Sequence, residues 1–307
     1  MQITVFDKSR EFSEIVIPTV QTKSGMDDLI HLLDSYCATT RMLIVSGEPG
    51  TGKTVLLRKF TETYQTKYAT EEHHKNIIML NVSTQNKSSE DLAVEILKQL
   101  GDIAPTLGTL SKKKIRIETL FAALQVRVLI IDEFHDLIPK SNMDGNNKVI
   151  RLIKWILLNN TRPVSLVLSG CPAIEDLIVV DQQIETRCNN IIKMEKLGLT
   201  TSEKQSEFAD LVVSLFKEMP NAIKVDLKKP LTYQRLMLAS QGNVRTLTAI
   251  LKRSIEMIEL DGAITNQVLE DAWDKCTTKK MKDEIGIRPF TANESKIHAE
   301  LKRLKMI

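Results

Sequence analysis

Long apolar runs, grouped cysteines and a strong net charge are all missing from this chain of 307 residues, and each absence excludes a class of protein. No hydrophobic stretch approaches the ~20 residues that span a bilayer. The opening MQITVFDKSREF has no signal-peptide pattern, so a cytoplasmic protein with no membrane partner is the expectation. Cys37, Cys171, Cys188 and Cys276 are scattered, with no C-x-x-C spacing and no Cys/His grouping, which argues against a disulfide framework or a zinc finger. Aromatic residues are few at 5%, and a net charge of +3 does not by itself imply a nucleic-acid partner. What remains, 42% hydrophobic and 26% charged residues, is the balance of an ordinary globular chain. Its length allows one large core and a smaller satellite domain.

Residues 42–60, MLIVSGEPGTGKTVLLRKF, read as an apolar strand, a glycine-rich turn and the start of an amphipathic helix. The turn Gly47-Glu48-Pro49-Gly50-Thr51-Gly52-Lys53-Thr54 fits G-x-x-x-x-G-K-[ST] without a departure. Binding a phosphate through backbone N–H groups needs dihedrals that only glycine adopts freely and no Cβ in the way, and Gly47, Gly50 and Gly52 meet both needs. Lys53 is then expected to reach the β/γ-phosphates and Thr54 to ligate Mg²⁺. The following helix, expected over about 54–68, directs its positive end at the same anion.

Buried strands are also expected at 76–82, 126–132, 163–169 and 191–194, separated by helices at 89–100, 110–125 and 148–158. This alternation predicts an α/β, doubly wound parallel sheet. The third strand ends in Asp132-Glu133, as needed opposite a phosphate-loop lysine: Asp132 to hold Mg²⁺ and Glu133 to polarise the attacking water. Ser169 closes the fourth strand, where open α/β sheets bind ligands, and can bond the γ-phosphate or the water. Cys171 is its rival if the register slips. His135 either senses the nucleotide site or satisfies the loop backbone. Arg187, before the last strand, is either a cation supplied to a neighbouring subunit's nucleotide or part of a surface salt bridge.

From residue 200 the pattern is helical only, at 202–218, 232–240, 244–260 and 265–276, and Arg245 opens the third of these as a cation for the nucleotide or as a surface charge. The expected organisation is a lead-in over 1–24, an α/β domain over 25–196, a helical lid over 197–277 and a basic tail, partly disordered or folding on a partner, over 278–307. Cations bunch at Lys112-Lys113-Lys114, on a helix whose apolar side is read as Ile115, Ile117, Leu120, Phe121 and Leu124. That lysine end is either a solvated face or a contact to the DNA backbone. His73 and His74, without a visible acidic partner, read as a solvated loop.

Taken together, these motifs resemble the AAA+ ATPases over about residues 15–275. The phrases IIDEFHDLI, PVSLVLSGCP and GNVRTLTAIL are similar to the TniB/TnsC transposition regulators of Tn7-like transposons, some of them CRISPR-associated. The resemblance implies a five-stranded AAA+ P-loop NTPase domain followed by a small helical lid. It also implies ATP and Mg²⁺ as cofactors, and a ring or filament on double-stranded DNA that recruits transposase and target-selection proteins. It assigns Gly47, Gly52, Lys53 and Thr54 to Walker A, with Glu48, Pro49, Gly50, Thr51 and Val55 lining the same loop. Asp132 and Glu133 become Walker B, Ser169 sensor 1, Arg187 the arginine finger and Arg245 sensor 2. Lys112, Lys113 and Lys114 become DNA-backbone contacts. The alternatives are a replication-initiator-like remodelling ATPase and a signalling or secretion ATPase that does not touch DNA.

Overall fold

A computed structural model describes residues 5–35, 40–82, 88–137, 147–158, 163–258 and 262–307. Cys37 and nearly all of the polar loop expected at 141–147 lie outside the described residues. The chain divides into two compact units, Gln21–Met194, and Met1–Val20 together with Glu195–Ile307.

The first unit is built on a parallel sheet of β1 (Met42–Gly47), β2 (Ile77–Asn81), β3 (Val128–Asp132), β4 (Ser165–Gly170) and β5 (Cys188–Met194), in the order β2-β3-β4-β1-β5. β1 to β4 are largely apolar runs because both faces are covered. Successive residues of β1 divide between two cores. Leu43 and Val45 pack with Leu29, Leu32 and Leu33 of α2 (Val20–Asp34) and with Leu56, Leu57 and Phe60 of α3 (Lys53–Tyr64). Met42 and Ile44 belong to the opposite core, with α4 (Ser89–Gln99), α5 (Leu110–Ala123) and α6 (Lys148–Leu158). Each fully buried Leu or Ile contributes roughly 1.5–3 kcal/mol, so the sheet is held from both sides. Local signals agree with this packing: Ser88 and Asp91 form a reciprocal capping box at the start of α4. Beyond β4, the short helices α7 (Leu177–Val180) and α8 (Gln182–Glu185) lead into β5, which begins three residues earlier than the expected 191.

The second unit is helical apart from a two-residue parallel pairing of β6 (Ala222–Ile223) with β7 (Ala263–Ile264). Its helices are α9 (Ser202–Lys217), α10 (Pro230–Ser240), α11 (Val244–Glu256) and α12 (Asn266–Cys276). Thr201, Asn243 and Thr265 cap α9, α11 and α12 through their side chains. The turn before α11 is tight: Gly242 has φ 70°, and a Cβ there would stand 2.0 Å from the Leu197 carbonyl oxygen. The start of the chain joins this unit as α1 (Val5–Glu14), with Phe12 in its core and the Ser9 hydroxyl donating to Glu256 Oε1 at 2.8 Å.

The expectation that 278–307 is partly disordered or folds on a partner is corrected. Residues Lys279–Ile285 form α13 and Glu294–Arg303 form α14, and Ile285, Phe290, Ile297 and Leu301 are buried in the core of this unit. Glu270 of α12 fixes the connection: its Oε2 accepts from the backbone N–H groups of Phe290 at 2.8 Å and Thr291 at 3.0 Å. The basic residues of the segment ride on the outside of helices with an apolar inner face.

Candidate nucleotide site

The carboxyl ends of β1 and β3 carry the two halves of the site, and the strand order places β4 between them. At the end of β1, Gly50 and Gly52 take φ of 85° and 102°, dihedrals that side chains disfavour. Gly47 is required for a different reason, because a Cβ there would meet the Met194 carbonyl oxygen at 2.2 Å. Lys53 opens α3 and is buried, its ammonium donating to the carbonyls of Gly47 at 2.7 Å and Glu48 at 3.1 Å. A cation thus stands over the turn, on backbone acceptors it can exchange for an anion. Glu48, Pro49 and Val55 are exposed around it, and Thr51 is buried with its hydroxyl on the Glu48 carbonyl.

Thr54, one residue along α3, donates its hydroxyl to Asp132 Oδ2 at 2.7 Å. The other carboxylate oxygen of Asp132 accepts the backbone N–H of Glu133 at 3.0 Å. Glu133 adopts φ 55°, a left-handed conformation uncommon outside glycine that turns the chain sharply off the strand. His135, in the 3-10 turn Phe134–Asp136, has Nδ1 3.4 Å from the Cys171 N–H, which it accepts, and 3.3 Å from Glu133 Oε2. It therefore satisfies a loop N–H, the second of the two roles the sequence left open, with the Glu133 carboxylate close by. Gly170 makes room for it, since a Cβ there would lie 3.0 Å from that nitrogen. Ser169 is wholly buried near the end of β4, and its hydroxyl has no hydrogen-bond partner among the described residues. A hydroxyl, a carboxylate and a buried ammonium at one sheet edge are the donors a nucleotide with Mg²⁺ requires.

Arg187 is not at this edge. Its carbonyl accepts the N–H of Met42, at the opposite end of β1, and from there to Gly47 the strand runs about 17 Å. Arg245 is exposed in the first turn of α11, within the helical unit.

The sequence model of the bacterial TniB protein family matches residues 12–197, more than half of the chain. The chain belongs to the TniB family. No curated protein matches it. Among solved structures, it is similar to the Aeropyrum pernix ORC2 protein in its ADP form, with a TM-score of 0.59 and 14% identity over 96% of this chain and 88% of that one. The Aeropyrum pernix ORC1 protein in complex with DNA gives 0.60 at 14%, over 88% and 67%. Cdc6p from Pyrobaculum aerophilum gives 0.56 at 15%, over 99% and 90%. At such identities the likeness establishes the fold, an AAA+ P-loop fold with a five-stranded parallel sheet and helical flanks.

In this TniB-family chain the lysine cluster needs correction. Lys113 is 2% exposed, its ammonium held by Glu90 Oε1 at 2.6 Å and by the Gly108 carbonyl at 2.7 Å, so it is committed to the fold and not offered to DNA. Lys114 is half-buried, 5.1 Å from the centre of the Trp155 ring, and burial lowers its pKa. Lys112 alone of the three is exposed. Ile115, assigned to the apolar side, is 65% exposed. Two polar groups near the site escaped sequence reading. Asn81 ends β2 in register with Asp132. Glu175, in the turn Pro172–Asp176, accepts from the Ser46 hydroxyl at 2.6 Å and pairs with Lys193 at 3.0 Å, bracing the residue before Gly47. Asn81 ends an apolar strand just as Asp132 does, a signal that was visible; Glu175 had none. Among the described residues, no helix is long and apolar enough to cross a membrane.

Proposed function

We propose that this TniB-family chain is an ATP-dependent, DNA-binding regulator that assembles on double-stranded DNA and recruits or activates a transposase at the target site. The observation that carries the reading is the Thr54–Asp132 bond beside the Lys53 cradle. In it, Lys53 leaves its carbonyl partners for the β/γ-phosphates, and Thr54 with Asp132 would hold Mg²⁺. Glu133 takes the proton of a water attacking the γ-phosphorus in line, the bond to the β-phosphate oxygen breaks, and ADP and phosphate leave. Bound Mg²⁺ supplies positive charge to the phosphate oxygens. Ser169 bonds the γ-phosphate or the water. Arg187 is too far from its own phosphate loop along β1, so in this reading it serves the nucleotide of a neighbouring copy. Hydrolysis is slow and regulatory, releasing the assembly from DNA.

The ORC and Cdc6 neighbours keep a replication-type remodelling ATPase as the second reading, but the family match favours transposition. Gel filtration with a non-hydrolysable ATP analogue, with and without duplex DNA, tests the proposal. The expected result is a large assembly that needs both. An unchanged elution volume with duplex present overturns it.

A further inference from the structure

Between α3 and β2 the chain makes a series of turns carrying Glu71, His73 and His74, and here the acidic partner that the sequence seemed to lack comes from the same loop. Glu71 Oε2 lies 3.3 Å from His73 Nδ1 and 4.0 Å from His74 Nε2, and the three ligand atoms all fall within 4.8 Å of one another. We propose that Glu71, His73 and His74 form a transition-metal site, best suited to Zn²⁺, remote from the nucleotide site and independent of it.

Bond lengths of about 2.0–2.2 Å to nitrogen and carboxylate oxygen put tetrahedral ligand atoms roughly 3.3 Å apart. The cluster already approaches that spacing. Two imidazoles and one carboxylate suit a borderline ion such as Zn²⁺ over Mg²⁺ or Ca²⁺, which take oxygen. A water fills the fourth position.

His74 is a prepared ligand and not a floppy surface side chain. It is buried, and its Nδ1 lies 3.0 Å from Thr70 Oγ1. With Nε2 on the metal, the ring's one proton stands on Nδ1 and is donated to Thr70 Oγ1, which also accepts from Gln125 Nε2 at 3.5 Å. This is the outer support that metal-bound histidines commonly have. Gln125 follows α5, and the Leu124 carbonyl there accepts the N–H of Lys75 at 2.8 Å. The ion would therefore staple the α3–β2 loop where it meets the α5–β3 turn. That end of α3 is some 18 Å from Lys53 by helix length, which separates the site from catalysis.

The test titrates the tag-free, metal-stripped full chain with Zn²⁺ by calorimetry, and with Co²⁺ by visible absorption. The expected result is one saturable equivalent, a nitrogen/oxygen-type Co²⁺ spectrum and a melting temperature raised by Zn²⁺. Glu71 and His73 are exposed, so Glu71→Gln and His73→Ala spare the fold; each is expected to weaken binding at least tenfold and to abolish the melting shift. Thr70→Val is expected to weaken it roughly 10- to 100-fold with the Co²⁺ spectrum unchanged. No saturable site, a thiolate charge-transfer band, or unaltered binding in the Glu71→Gln/His73→Ala double variant overturns the proposal. None of these readouts depends on ATP or DNA.

Discussion

Thr54 Oγ1 donates to Asp132 Oδ2 at 2.7 Å, tying the first turn of α3 to the end of β3 across 78 residues of sequence. The two groups proposed to share Mg²⁺ are already in contact, so binding needs little rearrangement.

Asp132→Asn retains an acceptor for Thr54 while removing the charge. It is expected to leave the melting temperature nearly unchanged and to weaken Mg²⁺–ATP binding at least tenfold, read with a fluorescent ATP analogue. Glu133→Gln is expected to bind nucleotide normally and to lose about 10²–10⁴-fold in phosphate release. Equal loss of binding in both variants would show that the two carboxylates do not divide their roles in this way.

Lys112 and Lys113 are neighbours in sequence with opposite duties. Lys113→Ala removes a buried stem and the hydrogen bonds to Glu90 and Gly108, and is expected to cost about 1–3 kcal/mol in urea unfolding with duplex affinity unchanged. Lys112→Ala is expected to leave stability alone, lower duplex affinity a few-fold at low salt and reduce the salt slope by about one. An unaltered salt slope for Lys112→Ala counts against its phosphate contact.

The contrast between those lysines marks where sequence reading reached its limit. The phosphate loop and all five strands were legible because each is a local pattern, and the Asp132-Glu133 strand end took its meaning from the complete phosphate loop upstream. Lys113 was partly legible: it stands four residues before Ile117 and eight before Phe121, on the buried stripe, whereas Ile115 stands off it. Charge alone suggested otherwise, and its partner Glu90 lies on another helix. The last thirty residues were misread because their apolar residues are sparse. Yet Asn293 caps α14, Gly286 ends α13 at φ 70°, and Ile297 and Leu301 are one helical turn apart. What holds them, Glu270 on the Phe290 and Thr291 amides, is a tertiary contact with no local signature. The acidic partner of His73 and His74 was close in sequence, but only the folded turn brings Glu71 to them.

The Glu175 brace should make the phosphate-loop strand acid-sensitive. The hydrogen bond from Ser46, and then Lys193, hold the Glu175 carboxyl below its ordinary value. A carboxylate depressed in the folded state contributes stability that is complete above the unfolded value, about 4.3, and is lost as pH falls through the folded one. Glu175→Gln is expected to melt below wild type at pH 7, with the difference shrinking steadily below about pH 4. A gap of constant size from pH 7 to pH 3 would assign the effect to packing.

Arg187 offers the sharpest test of assembly. Its carbonyl accepts the N–H of Met42, so it stands just before β5 at the end of the sheet away from Gly47, about 17 Å along β1. A cation so placed contributes to hydrolysis only by reaching the nucleotide of another copy. Arg187→Ala alone is expected to retain ATP binding and to lose DNA-stimulated hydrolysis by about 10³-fold or more. Glu133→Gln alone is expected to be equally inactive. In a mixture, some interfaces pair an intact Glu133 site from the Arg187→Ala chain with an intact Arg187 from the Glu133→Gln chain, and hydrolysis should return to a substantial fraction of wild type. If mixing restores nothing while both variants still assemble on duplex, Arg187 is not a catalytic cation supplied between copies.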